Sequence, residues 1–142
     1  MTESVGFAIL GIDPGEKRIG VAIAHSGLPV ASGLGAIAYK SNYDLIRRLK
    51  AMVAEEAIGL VVMGLPVNMN GTEGDAAKLA RRLAEIIKRG LGVRVVFEDE
   101  RLTTDQALRQ LRETGKKRGK DKGTIDIMAA VNILQTYLDA QH

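Results

Sequence analysis

Apolar and polar positions alternate along this chain in blocks that predict its elements one by one. Phe7 to Ile12 is an almost unbroken apolar run, the pattern of a strand buried on both faces. It stops at Asp13, and Pro14 and Gly15 mark a turn. A second run, Ile19 to Ala24, follows at once, and Pro29 to Ala38 reads as a third strand. Three consecutive strands with short connections predict an antiparallel meander. Ser41 is placed to cap a helix on which Leu45, Leu49, Met52 and Val53 recur at helical spacing. Gly59 to Gly64 is a short buried strand. Its loop, Leu65 to Gly74, is rich in turn residues and long for a plain connector.

A second helix is predicted from about Asp75 to Arg89. Ala76, Leu79, Leu83, Ile86 and Ile87 lie on one side, and Gly90 and Gly92 end it. Val93 to Phe97 is the fifth strand, running straight into Glu98, Asp99 and Glu100. Thr103 and Gln106 form a capping box that opens a third helix. After the glycine- and lysine-rich stretch from Thr114 to Gly123, a last helix runs from about Thr124 to Ala140. Strand–helix–strand connections imply parallel neighbours. The expected fold is therefore α/β: a five-stranded mixed sheet, antiparallel meander plus parallel strands, with helices on both faces. With no repeat or boundary in sight, residues 1–142 are read as one domain.

Composition narrows the class. At 46% hydrophobic and 26% charged residues the chain is globular rather than disordered. It contains no cysteine, which excludes a disulfide framework and thiolate metal sites. No signal-peptide pattern and no membrane-length apolar run is present, so a cytoplasmic protein without membrane contact is expected. The net charge is +3, but it is concentrated. Arg112 to Lys122 carries six basic and two acidic residues, a net of +4, which leaves the rest of the chain near −1. A local basic patch of this kind suits an anionic polymer. With 4% aromatics, recognition should lean on phosphates rather than base stacking.

Three acidic positions carry the candidate chemistry. Asp13 ends the first strand, one of Glu98, Asp99 and Glu100 ends the fifth, and Asp126 opens the last helix. Ala129, Ala130, Ile133 and Tyr137 share the face of Asp126, which turns that carboxylate toward protein. Acids converging at the edge of a sheet repel unless a cation lies between them. Mg²⁺ or Mn²⁺, two ions held about 4 Å apart, is the arrangement for phosphodiester hydrolysis. Lys17, Arg18 and Arg101 flank these acids and are placed for phosphate. Lys116, Lys117, Arg118, Lys120 and Lys122 are placed to grip a backbone. His25 and His142 are read as surface residues. Asn68, Asn70 and Thr72 either line a substrate groove or only hold their own loop.

Four stretches together resemble the YqgF/RuvX family of Holliday junction resolvase-like proteins, also described as pre-16S rRNA nucleases. They are Gly11 to Ala22, Gly64 to Gly74, Asp99 to Thr104 and Ile125 to Leu138, in the family's order across nearly the whole chain. The chain has Asn70 where the family's loop often carries Asp. The resemblance implies a ribonuclease H-like fold and acidic site residues at Asp13, Glu100 and Asp126. It implies a metal-dependent nuclease maturing the 5′ end of 16S rRNA. A resolvase acting on branched DNA is the other enzymatic reading, and would need a symmetric dimer. Monomer and homodimer both stand. Outside the nucleases, Gly-x-Asp-x-Gly before a strand also resembles the phosphate loop of actin-like ATPases, which need two such domains. A non-catalytic nucleic-acid scaffold is expected if the acids do not converge.

Overall fold

The computed structural model describes residues 7–25, 27–100 and 122–141. Its strands are β1 (Ala8–Asp13), β2 (Arg18–Ala24), β3 (Ser32–Ala38), β4 (Ile58–Leu65) and β5 (Arg94–Asp99). The helices among the described residues are α1 (Asn42–Met52), α2 (Asp75–Leu91) and α3 (Lys122–Ala140). The helix expected from Thr103 and Gln106 lies outside the described residues.

The sheet order is β3-β2-β1-β4-β5. β1 pairs antiparallel with β2 and β2 with β3, whereas β1–β4 and β4–β5 are parallel. The meander and the parallel half thus meet at β1, the central strand. Strand alternation sends Leu10 and Ile12 to one face, against Leu45 and Leu49 of α1 and Leu83 and Ile87 of α2. The opposite face meets α3 through Ala22, Ala24, Leu60 and Val62, packed on Ala130, Ile133, Leu134 and Leu138. Ile133 and Leu134 are fully buried, and truncating such a side chain to alanine costs about 2–5 kcal/mol.

The two faces differ in side-chain size, and that difference positions the site. Beneath α3, the meander strands carry small residues at Gly11, Gly20, Ala22, Ala24 and Gly33. A Cβ on Gly11 would come within 2.6 Å of the Leu134 Cβ, and one on Gly33 within 2.5 Å of the Ile127 side chain. Small residues on the sheet and Ala129 and Ala130 on the helix together let α3 lie close on β1 and β2.

Local signals behave as expected with a few shifts. Ser41 caps α1, its Oγ accepting from the Asp44 N–H at 3.1 Å. Gly92 ends α2 in the left-handed conformation, φ 68°. Gly90 lies inside α2 rather than ending it. Ala76 is exposed, and Ala77 and Ala80 take its expected place in the core. The stretch from Pro29 to Ala31 precedes β3 and is not strand. Asp13 is the last residue of β1, where the end of the apolar run placed it.

Candidate active site

Among the described residues the buried polar or charged side chains are Asp13, Glu100 and Asp126, at 4%, 4% and 3% exposure. Those are the three acids picked out in the sequence. Buried carboxylates are unfavourable without a compensating cation or hydrogen bonds, so their placement demands a reason.

The backbone brings them to one face. Asp13 shares the α3 side of β1 with Gly11. Its cross-strand partner on β2 is Gly20, and on the other side it lies one residue beyond the Ile12–Met63 pair, next to Gly64 of β4. Neither neighbour has a side chain, and each gap is taken. A Cβ on Gly20 would lie 2.0 Å from the Asp126 carbonyl oxygen. A Cβ on Gly64 would lie 2.6 Å from Glu100 Oε2 and 2.6 Å from the end of Ile133. The Asp126 backbone, from α3, and the Glu100 carboxylate, from just after β5, therefore lie over the two strands that neighbour Asp13.

The acids at the end of β5 separate by face. Glu98 pairs with Gly64 and so lies on the α3 side. Asp99 pairs with Leu65 and points the other way. Burial pushes the Glu98 carboxyl above its ordinary pKa, and the Asp99 charge adds to the shift. Glu100 is the one that reaches the space over Gly64.

Arg18, the first residue of β2, closes the group from the opposite end. Its Nε donates to Asp126 Oδ2 at 2.7 Å, in the range of a charge-assisted bond. The Arg18 side chain is 28% exposed, against 4% for that of Asp126. Arg18 also lines an open groove of about 570 Å³ with Lys122, Gly123, Thr124 and Ile127 of α3 and Ala36 and Ala38 of β3. Two of the basic residues expected to meet phosphate thus share one groove beside the acids. Lys17 is exposed in the turn before Arg18. Arg101, Lys116, Lys117, Arg118 and Lys120 lie outside the described residues.

Asp13, Glu100 and Asp126 are oxygen donors of the kind a hard divalent cation takes, on elements that meet over one sheet face. Among the described residues no three acids or histidines already stand together as a ligand set. Asp126 is engaged by Arg18. Two other sequence candidates stand apart. His25 is half exposed and meets Glu56 at 3.3 Å. Asn68, Asn70 and Thr72 hydrogen-bond to one another: Asn68 Nδ2 donates to Thr72 Oγ1, and Thr72 donates through both its N–H and its hydroxyl to Asn70 Oδ1. They hold the loop after β4.

Sequence reasoning did not single out Gly20 and Gly64 as the positions that admit the acids. A glycine inside a strand marks a close approach, and that signal was present in both runs.

The profile of the RuvX family, described as Holliday junction resolvase, matches residues 7–140. The chain belongs to the RuvX family. A relative from Thermoanaerobacter pseudethanolicus, named "Putative pre-16S rRNA nuclease", is 42% identical over 134 residues, covering 94% of this chain and 96% of its own. One of the same name from Clostridioides difficile is 42% identical over 131 residues, covering 92% and 93%. The RuvX chain also shares its fold with solved structures of RuvC. T. thermophilus RuvC in complex with a Holliday junction substrate superposes with a TM-score of 0.54 at 15% identity, covering 95% of each chain. The mixed sheet is thus that of a ribonuclease H-like fold.

Proposed function

We propose that this chain is a divalent-metal-dependent nuclease that processes the 5′ end of pre-16S rRNA in the cytoplasm as a single catalytic domain. One observation carries the chemistry: the three buried charged side chains among the described residues are Asp13, Glu100 and Asp126, on adjoining elements over one sheet face. The names of the relatives supply the substrate.

Asp13, Glu100 and Asp126 would hold Mg²⁺ or Mn²⁺, two ions in the arrangement used for in-line displacement at phosphorus. When bound, the cations supply Lewis-acid activation of water and of the scissile phosphate. The chain's own contribution is to fix the carboxylates on rigid elements and to keep them out of bulk water. Lys122 and Arg18 face the groove that an anionic backbone would enter, and Lys17, Arg101, Lys116, Lys117, Arg118 and Lys120 are the other basic residues proposed to meet phosphate.

Asp13→Asn tests the assignment, since it removes one ligand charge at nearly constant shape. With Mg²⁺ or Mn²⁺ the parent chain should trim an RNA bearing the precursor 5′ segment, and EDTA should stop it. Asp13→Asn should bind that RNA with little change and cleave at least 10²-fold more slowly, with its melting temperature retained. Full activity of Asp13→Asn at saturating Mg²⁺ overturns the assignment. A four-way DNA junction serves as the competing substrate, because the family description names a junction resolvase. Paired incisions in it by a dimeric form of the chain, with the RNA left intact, would assign the chain to branched DNA instead.

A further inference from the structure

We propose that Arg18 is the site's built-in counter-ion, which occupies Asp126 and must be displaced before a divalent cation can use that carboxylate. The inference rests on the metal-dependent reading above and adds what sets the affinity for the cation.

The pair joins residues 108 positions apart, at 2.7 Å. α3 begins at Lys122, two residues earlier than expected, so Asp126 lies in its second turn, and the pair ties that turn to the first residue of β2. Two residues further along β2, Gly20 takes the Asp126 carbonyl so closely that a Cβ would stand 2.0 Å from it. The α3 backbone is therefore seated on the strand at Asp126 itself. The carboxylate cannot leave its place by sliding the helix, so any opening of the pair falls to the arginine.

Arg18 has the means to move. Its side chain is 28% exposed while that of Asp126 is 4% exposed, and it borders the groove of about 570 Å³ shared with Lys122 and Thr124. A rotamer change carries the guanidinium from Asp126 into this groove with the backbone unmoved. There it lies beside Lys122, presenting the planar donor set that suits phosphate.

The electrostatics give the exchange its purpose. Three carboxylates with almost no solvent access are held over one sheet face, and a positive charge among them relieves their repulsion. Arg18 supplies it from within the chain. A cation entering the site brings the same compensation and competes for the same oxygen. By linkage, whatever free energy the Arg18–Asp126 bond contributes is subtracted from cation binding.

The test is direct binding of Mn²⁺ to the full chain without nucleic acid, by calorimetry or by the electron paramagnetic resonance of free Mn²⁺, with melting temperatures recorded alongside. Arg18→Gln should bind Mn²⁺ roughly tenfold more tightly or better. It should melt lower than the parent in EDTA and gain more from Mn²⁺ than the parent does. Arg18→Lys, which keeps the charge without the planar fork, should fall between the two. It carries the test alone if Arg18→Gln does not fold, and no gain over the parent then counts against the proposal. Weaker or unchanged Mn²⁺ binding by Arg18→Gln overturns it, since Arg18 would then orient Asp126 rather than compete for it. If parent and variants all fail to bind Mn²⁺ at millimolar concentrations, the metal-dependent reading itself falls. Binding by the parent with no gain in the variants defeats only the role given to Arg18.

Discussion

Gly20 shows how a single missing side chain shapes the site. Its Cα faces the carbonyl of Asp126, and any Cβ there would overlap that backbone oxygen, which has no rotamer to change. Gly20→Ala should therefore lift the N-terminal part of α3, at Asp126, off β2. The cost of such overpacking is about 1–3 kcal/mol or more, read as a fall of several degrees in melting temperature. Cleavage should fall further than stability explains, because Asp126 moves with the helix. Gly35→Ala is the control: its Cβ would meet only the flexible end of Met52 at 3.0 Å, so melting temperature and cleavage should change little. Equal loss in the two variants would show that Gly20 has no special link to the site. The acids were legible in the sequence because each interrupts or ends an apolar run, at Asp13, at Glu98 to Glu100 and at Asp126. The choice among the last strand's acids was not legible from the run itself. The pairing of Leu65 with Asp99 turns Asp99 to the other face, and it is Glu100 that reaches the space over Gly64. Nor was the Arg18–Asp126 bond, which forms only once α3 packs across β2.

The loop between β4 and α2 is held from outside by an element it precedes. Arg81, in the second turn of α2, donates Nε and an Nη to the two carboxylate oxygens of Glu73 at 2.7 and 2.6 Å. Its guanidinium also lies 5.0 Å from the centre of the Phe97 ring on β5. The hydrogen bonds from Arg81 hold the Glu73 carboxyl below its ordinary pKa. A depressed carboxylate means that the unfolded chain binds more protons than the folded one, so stability rises with pH through this window. The contribution is complete above the ordinary glutamate value and disappears as pH falls through the folded one. Glu73→Gln should thus melt slightly below the parent at pH 7, and the gap should close in acid; a gap constant from pH 7 to pH 3 would exclude the ion pair as its cause. Elements such as α1 and α2 were legible because their apolar spacing agrees with their caps, Ser41 and Gly92. Their edges were less so. Gly90 looked like a stop, yet its Cα packs against Ile46 of α1, where a Cβ would collide with that side chain. Tertiary packing there overrides the local preference.

Along the whole chain, the buried acidic charge and the excess basic charge fall on different stretches. Asp13, Glu100 and Asp126 are buried, whereas the excess positive charge of the sequence falls between Arg112 and Lys122, where the helix that carries Asp126 begins. No helix among the described residues is long and apolar enough to cross a membrane. We predict that the basic stretch grips phosphates and does no chemistry. Replacing Lys116, Lys117, Arg118, Lys120 and Lys122 by Ser should weaken binding to every RNA and DNA tested. The slope of log affinity against log salt should fall by about 0.7–0.9 for each phosphate that is no longer neutralised. If all five side chains reach phosphates, their joint replacement flattens the slope by about 4, and rate at saturating substrate should change far less than affinity. Fluorescence anisotropy across a salt series, paired with single-turnover cleavage, separates the outcomes. Unchanged affinity and slope would reduce the stretch to a solvated connector. Normal binding with abolished cleavage would instead give the stretch the placing of the scissile strand, and the division between gripping and chemistry would fail.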